Sequence, residues 1–109
     1  MASAIDLEAF VRAIPDFPMA GILFRDITPL LADAAALDAA ISRLAAPFEP
    51  GGPQGIDFVL AAEARGFILG AALARQLDAG FLPARKPGRL PARTIRAAYQ
   101  LEYGVDSLE

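Results

Sequence analysis

Glu63-Ala64-Arg65-Gly66 sets an acid, an arginine and a glycine directly after the apolar run Phe58-Val59-Leu60-Ala61-Ala62. The stretch from Phe67 to Leu77 that follows is apolar and helical in pattern. A charged pair at the carboxyl end of a strand, where a helix begins, is well placed for an anion. Open α/β sheets bind ligands at that edge. A helix N-terminus adds unpaired N–H groups and the positive end of a dipole. An ordinary strand-to-helix turn with a solvated Arg65 has the same signature. A second cationic group lies downstream: Arg85, Lys86, Arg89, Arg93 and Arg96 are five of the ten Lys and Arg residues and share a stretch without an acid. Guanidinium forks match phosphate oxygens in a bidentate way, although charge runs also occur as solvated turns. Glu102, next to Tyr103, could hold a ring N–H or shuttle a proton, or be a plain strand carboxylate. Phe24, in Ile22-Leu23-Phe24-Arg25, could stack on a flat ligand or pack in the core.

These residues need elements to hold them. Ser3 and Asp6 read as the start of a first helix with Leu7, Phe10, Val11 and Ile14 on its apolar stripe, ended by Pro15 and Pro18. Gly21 to Asp26 is a short strand or tight loop. Asp33 predicts the N-cap of a second helix running to about Ala46, with Leu37, Ile41, Leu44 and Phe48 on its core face. Pro50 to Gly55 is a loop by composition. Asp57–Ala62, Gly66–Leu77 and Gly80–Ala84 then form a strand, a helix and a strand, which is a βαβ unit. In such a unit the loops after both strands face the same side, bringing Glu63 and Arg65 toward the basic loop. Thr94–Tyr103 reads as a further strand, and a returning strand would begin only where the chain stops at Leu108-Glu109.

Composition narrows the chemistry. A chain of 109 residues makes one small domain at most. Without His or Cys it has no Ser-His or Cys-His nucleophile pair and no zinc site of the usual kind. No apolar stretch reaches the roughly 18 residues of a membrane span, and the N-terminus lacks a signal-peptide layout, so the expectation is a cytoplasmic protein without a membrane. With a net charge of −3 and a local cationic patch, the expected partner is a compact anion rather than a nucleic acid.

Four segments in order resemble the N-terminal portion of the adenine phosphoribosyltransferase family. They are Ile14-Pro15-Asp16-Phe17-Pro18 continuing through Gly21-Ile22-Leu23-Phe24-Arg25-Asp26-Ile27-Thr28-Pro29-Leu30-Leu31, then Glu63-Ala64-Arg65-Gly66-Phe67-Ile68-Leu69-Gly70, then Arg85-Lys86-Pro87-Gly88-Arg89-Leu90-Pro91, and finally Tyr99-Gln100-Leu101-Glu102-Tyr103-Gly104. The resemblance implies an α/β, type I phosphoribosyltransferase-like parallel sheet flanked by helices, with a flexible hairpin. It implies transfer of phosphoribosyl from 5-phosphoribosyl 1-diphosphate to adenine, with magnesium accompanying the diphosphate, in a homodimer. By motif, Ile22, Phe24 and Arg25 line the adenine pocket. Glu63, Ala64, Arg65, Arg85, Lys86 and Arg89 meet the diphosphate. Glu102 faces adenine N7 from the hairpin, Tyr103 helps close the site, and Arg65 counts with these two as catalytic.

Two acids followed by a Thr-Gly-Gly-Thr-like turn have no counterpart here, although in the family the turn binds the 5-phosphate and the acids hold the ribose hydroxyls; Gly51-Gly52 sits in a Pro-rich loop. Ala61-Ala62 stands where a glycine and a larger aliphatic residue are common, and Ala98 where a serine is. Residues 1–109 are therefore expected to be a single partial domain, inactive by itself. A non-catalytic regulatory module, or one half of a split protein on the same fold, is the alternative.

Overall fold

The computed structural model describes residues 4–48, 55–101 and 104–109. The chain forms two compact units, Met1–Leu44 and Ala45–Glu109.

In the first unit, Asp6 caps a single 3-10 turn, Leu7–Phe10, accepting a hydrogen bond from the Glu8 N–H at 3.2 Å. The expected first helix goes no further, and its Ser3 cap lies outside the described residues. Strand β1 (Arg12–Pro15) takes the place of its second half and pairs antiparallel with β2 (Leu23–Asp26), Arg12 opposite Asp26 and Ile14 opposite Phe24. The physical reason is twofold. Pro15 drives Ile14 into extended backbone, and one isolated turn does not offset the cost of helix nucleation. Pairing with β2 instead satisfies the backbone groups of both segments. Asp16 and Gly21 carry the hairpin turn at φ 58° and 87°, and the Asp16 carboxylate accepts from the Gly21 N–H at 2.9 Å.

Helix α1 (Thr28–Ala32) and helix α2 (Ala34–Ala45) follow. Asp33 caps α2 as expected, its Oδ2 accepting from the Ala36 N–H at 2.9 Å. Half of the expected core face holds, since Ile41 is buried and Leu37 packs against the centre, and half does not. Leu44 and Phe48 are exposed, whereas Ala36, Ala40, Ile41 and Ala45 are buried. Alanines allow close approach, so Ala36, Ala40 and Ala45 complete the buried face beside Ile41. Leu30, Ala36 and Ala40 form the centre, with Leu7, Phe10, Val11, Leu31 and Leu37 around it.

In the second unit, β3 (Phe58–Ala62), α3 (Arg65–Leu77) and β4 (Gly80–Ala84) form the βαβ unit, with β3 and β4 parallel and Ala62 opposite Ala84. The expected loop over 50–55 lies outside the described residues except for Gly55. Gly66 and Gly70 bring α3 down on Ala61, and the rings of Phe67 and Phe81 meet edge to face with centroids 5.7 Å apart. The opposite sheet face, with Phe58, Leu60 and Leu82, is exposed. Strand β5 (Ala97–Leu101) pairs antiparallel with β6 (Gly104–Leu108), Ala97 opposite Leu108. The returning strand expected beyond the chain is thus within it. Residues flanking β4 and β6 also pair: Arg85 N–H donates to the Glu109 carbonyl at 2.9 Å, and Glu109 N–H to the Arg85 carbonyl at 2.8 Å.

Candidate active site

The carboxyl ends of β3 and β4 converge on Glu63. Its N–H donates to the Ala84 carbonyl at 3.0 Å, which extends the β3–β4 pairing by one residue. Its carboxylate then reaches across to the loop after β4. Oε1 accepts from Arg85 Nε at 2.6 Å, and Oε2 accepts from the Lys86 N–H at 3.3 Å. The hydrogen bond from Arg85 is the main cause holding the Glu63 carboxyl below its ordinary range; the Lys86 N–H and the charges of Arg85 and Arg89 add to it, while partial burial opposes it. Glu63 is therefore an anion at neutral pH, and it neutralises part of the cationic loop.

The Glu63–Ala64 peptide is cis, and Ala64 is the N-cap of α3. No acid lies in the first turn of that helix, so its positive dipole end is unopposed there by side chains. Arg65 opens the helix and is exposed, as are Lys86 and Arg89. Glu63, Arg85 and Lys86 are thus in contact, with Ala64 and Arg65 adjoining them in the chain. Glu63 faces its own cations here.

The stretch from Arg85 to Arg96 contains no acid, but the fold supplies two. Glu63 pairs with Arg85, and Glu109 pairs with Arg96 at 3.2 Å. The pairing with Glu109 has no sequence signal, because its partners lie 13 to 24 residues upstream.

Ile22, Phe24 and Arg25 belong to the first unit. Ile22 is half-buried, its carbonyl accepting from Phe17 N–H at 3.1 Å. The Phe24 ring meets Phe17 edge-on at 5.1 Å, and Arg25 is exposed. Glu102 and Tyr103 lie outside the described residues.

Asp26, just after Arg25, anchors β2. It accepts from Arg12 Nε and Nη2 at 3.1 and 2.6 Å and from the N–H and hydroxyl of Thr28, both at 3.0 Å. The Thr28 N–H, then the Arg12 guanidinium, lower its carboxyl from 3.8 to about 2. A lowered folded-state value means that the unfolded chain binds protons first on acidification, so the stabilisation is complete above about 3.8 and fades as pH falls through about 2. Asp26→Asn is expected to be less stable than the unsubstituted chain at pH 7, with the gap closing between pH 4 and pH 2 in urea melts. A gap independent of pH would contradict this role.

No protein-family model matches the chain. It is 56% identical over 105 residues to an adenine phosphoribosyltransferase of Synechococcus sp. (strain JA-3-3Ab), covering 96% of this chain and 59% of that protein. It is 55% identical over 104 residues to the one from Thermotoga neapolitana, covering 95% and 59%. Among solved structures, the adenine phosphoribosyltransferase of Thermoanaerobacter pseudethanolicus aligns with a TM-score of 0.85 at 50% identity, covering 94% of this chain and 58% of that one. The Giardia lamblia enzyme, crystallised with 9-deazaadenine, aligns at 0.87 and 36% identity, covering 94% and 56%. The chain spans somewhat over half the length of these relatives. Its α/β fold is the one those structures share.

Proposed function

We propose that this chain carries the diphosphate-binding part of an adenine phosphoribosyltransferase, an enzyme of purine salvage. The reaction moves the phosphoribosyl group of 5-phosphoribosyl 1-diphosphate to adenine, giving AMP and diphosphate. The observation that carries the reading is the meeting of Glu63 with Arg85 and the Lys86 N–H beside the start of α3, in a chain more than half identical to these enzymes over most of its length.

Departure of diphosphate leaves positive character on the ribose ring and builds negative charge on the leaving group. Donors fixed in advance around that charge accelerate the step, because they need no reorganisation as it develops. Arg65, Arg85, Lys86, Arg89 and the N–H groups opening α3 supply such donors. Glu63 is the anchor that sets Arg85 and Lys86 in place. Ile22, Phe24 and Arg25 line the adenine side, Glu102 faces N7, and Tyr103 closes over the base. Magnesium arrives with the diphosphate as part of the substrate; among the described residues no group of three or more acids gathers to hold it. The working form is a cytoplasmic homodimer. No helix among the described residues is long and apolar enough to cross a membrane.

The test is calorimetric titration of magnesium diphosphate, alongside AMP formation from adenine and 5-phosphoribosyl 1-diphosphate. Saturable diphosphate binding that weakens with salt is expected, and Arg89→Ala should cost about tenfold in affinity. Binding that ignores Arg89 would count against the site.

A further inference from the structure

We infer that Glu109 is a positioning residue, a clasp that holds the basic loop in the shape the anion meets. This rests on the reading of that loop as the diphosphate site. The loop leaves β4 at Arg85 and returns to β5 after Arg96. Glu109 grips it at three points. Its backbone pairs with Arg85 in both directions, at 2.8 and 2.9 Å. Its Oε1 accepts from the Gly88 N–H at 2.9 Å, and its Oε2 accepts from Arg96 Nη2 at 3.2 Å. The Glu109 side chain is only 7% exposed, whereas that of Arg96 is 61% exposed.

Gly88 is the decisive grip. It stands at φ +83°, a conformation that side-chain-bearing residues rarely adopt, and open space surrounds it where a Cβ would be. No neighbour fills the space beside its Cα, and the hydrogen bond from its N–H ties Gly88 to Glu109. Gly88 lies between Lys86 and Arg89, so fixing its peptide fixes the directions in which both cations leave the backbone. A loop ordered beforehand does not lose that conformational entropy on binding.

Charge alone predicts the opposite effect. Glu109 is a carboxylate beside an anion site, and deleting it should strengthen diphosphate binding by removing repulsion. The sign of the change separates the two roles. The experiment uses the full 109-residue chain, Glu109→Ala and Glu109→Gln, with inorganic diphosphate and magnesium as the probe. It reads binding by calorimetry and Gly88 amide exchange by NMR without ligand. Glu109→Ala is expected to bind about tenfold more weakly and to exchange the Gly88 amide faster. Glu109→Gln keeps an acceptor for that amide and should recover most of both. Equal or tighter binding by Glu109→Ala overturns the inference, and so does unchanged Gly88 exchange. Failure of the unsubstituted chain to bind diphosphate would refute the site itself, with the clasp then decided by Gly88 exchange.

Discussion

Arg85→Ala is expected to weaken diphosphate binding by about a hundredfold, well beyond the tenfold loss set for Arg89→Ala, because it does two things at once. It removes a guanidinium from the site, as Arg89→Ala does. It also strips Glu63 of the partner lying 2.6 Å from its Oε1. That carboxylate would then face the incoming diphosphate without its strongest neutralising contact, and a like charge left unpaired at a binding site repels the ligand. Replacing Glu63 as well should return part of the loss. Glu63→Gln/Arg85→Ala is therefore expected to bind more tightly than Arg85→Ala alone, and the coupling in this double-mutant cycle measures the pair. Calorimetry on the four proteins checks it. Equal losses for Arg85→Ala and Arg89→Ala would show that Glu63 has no electrostatic part in the site.

Gly70→Ala is expected to lower stability by roughly 1–2 kcal/mol, against the preference of helices for alanine over glycine by about 1 kcal/mol. Gly70 is buried in the middle of α3. A Cβ there would lie 2.7 Å from the Ala61 Cβ and 2.8 Å from Cε1 of Phe81, both closer than real Cβ contacts come. Neither neighbour yields easily. The Ala61 Cβ is fixed to the β3 backbone, and the Phe81 ring is held at 89° to Phe67. The helix must shift from the sheet, which also moves Ala64 and Arg65 relative to Glu63. Gly66 is the internal control: its Cβ would sit 3.4 Å from Ala61, an ordinary contact. Gly66→Ala should leave the melting temperature near its starting value or raise it, while Gly70→Ala lowers it by roughly 5–15 °C. A rise for Gly70→Ala would mean that the close approach of α3 to β3 is not needed.

The βαβ unit was legible because its signals are local. Phe58–Ala62 and Gly80–Ala84 are short apolar runs, and the stretch from Phe67 to Leu77 between them is apolar and helical in pattern. The Asp33 cap was legible for the same reason, since an N-cap speaks to residues three positions away. Reading failed where a distant segment decided. The apolar spacing of Leu7 to Ile14 suits a helix, but Ile14 is opposite Phe24 in a hairpin. Of the expected core face around α2, Leu37 and Ile41 do turn inward, but Leu44 and Phe48 are exposed and Ala36, Ala40 and Ala45 are buried instead, because neighbouring elements approach the alanines.

By itself the sequence determined the chemistry at hand: an acid and arginine at a strand end, a basic loop, no histidine and no cysteine. It also placed Glu63 and Arg85 on the same edge, since loops after parallel strands emerge together. Only the tertiary structure decided how those charges are matched. Arg85 and the Lys86 N–H go to Glu63, and Arg96 and the Gly88 N–H go to Glu109. Spacing along the chain cannot supply that matching. Ion pairs and hydrogen bonds depend on ångström separations, which the parallel β3–β4 pairing and the return of β6 to Arg85 set through space.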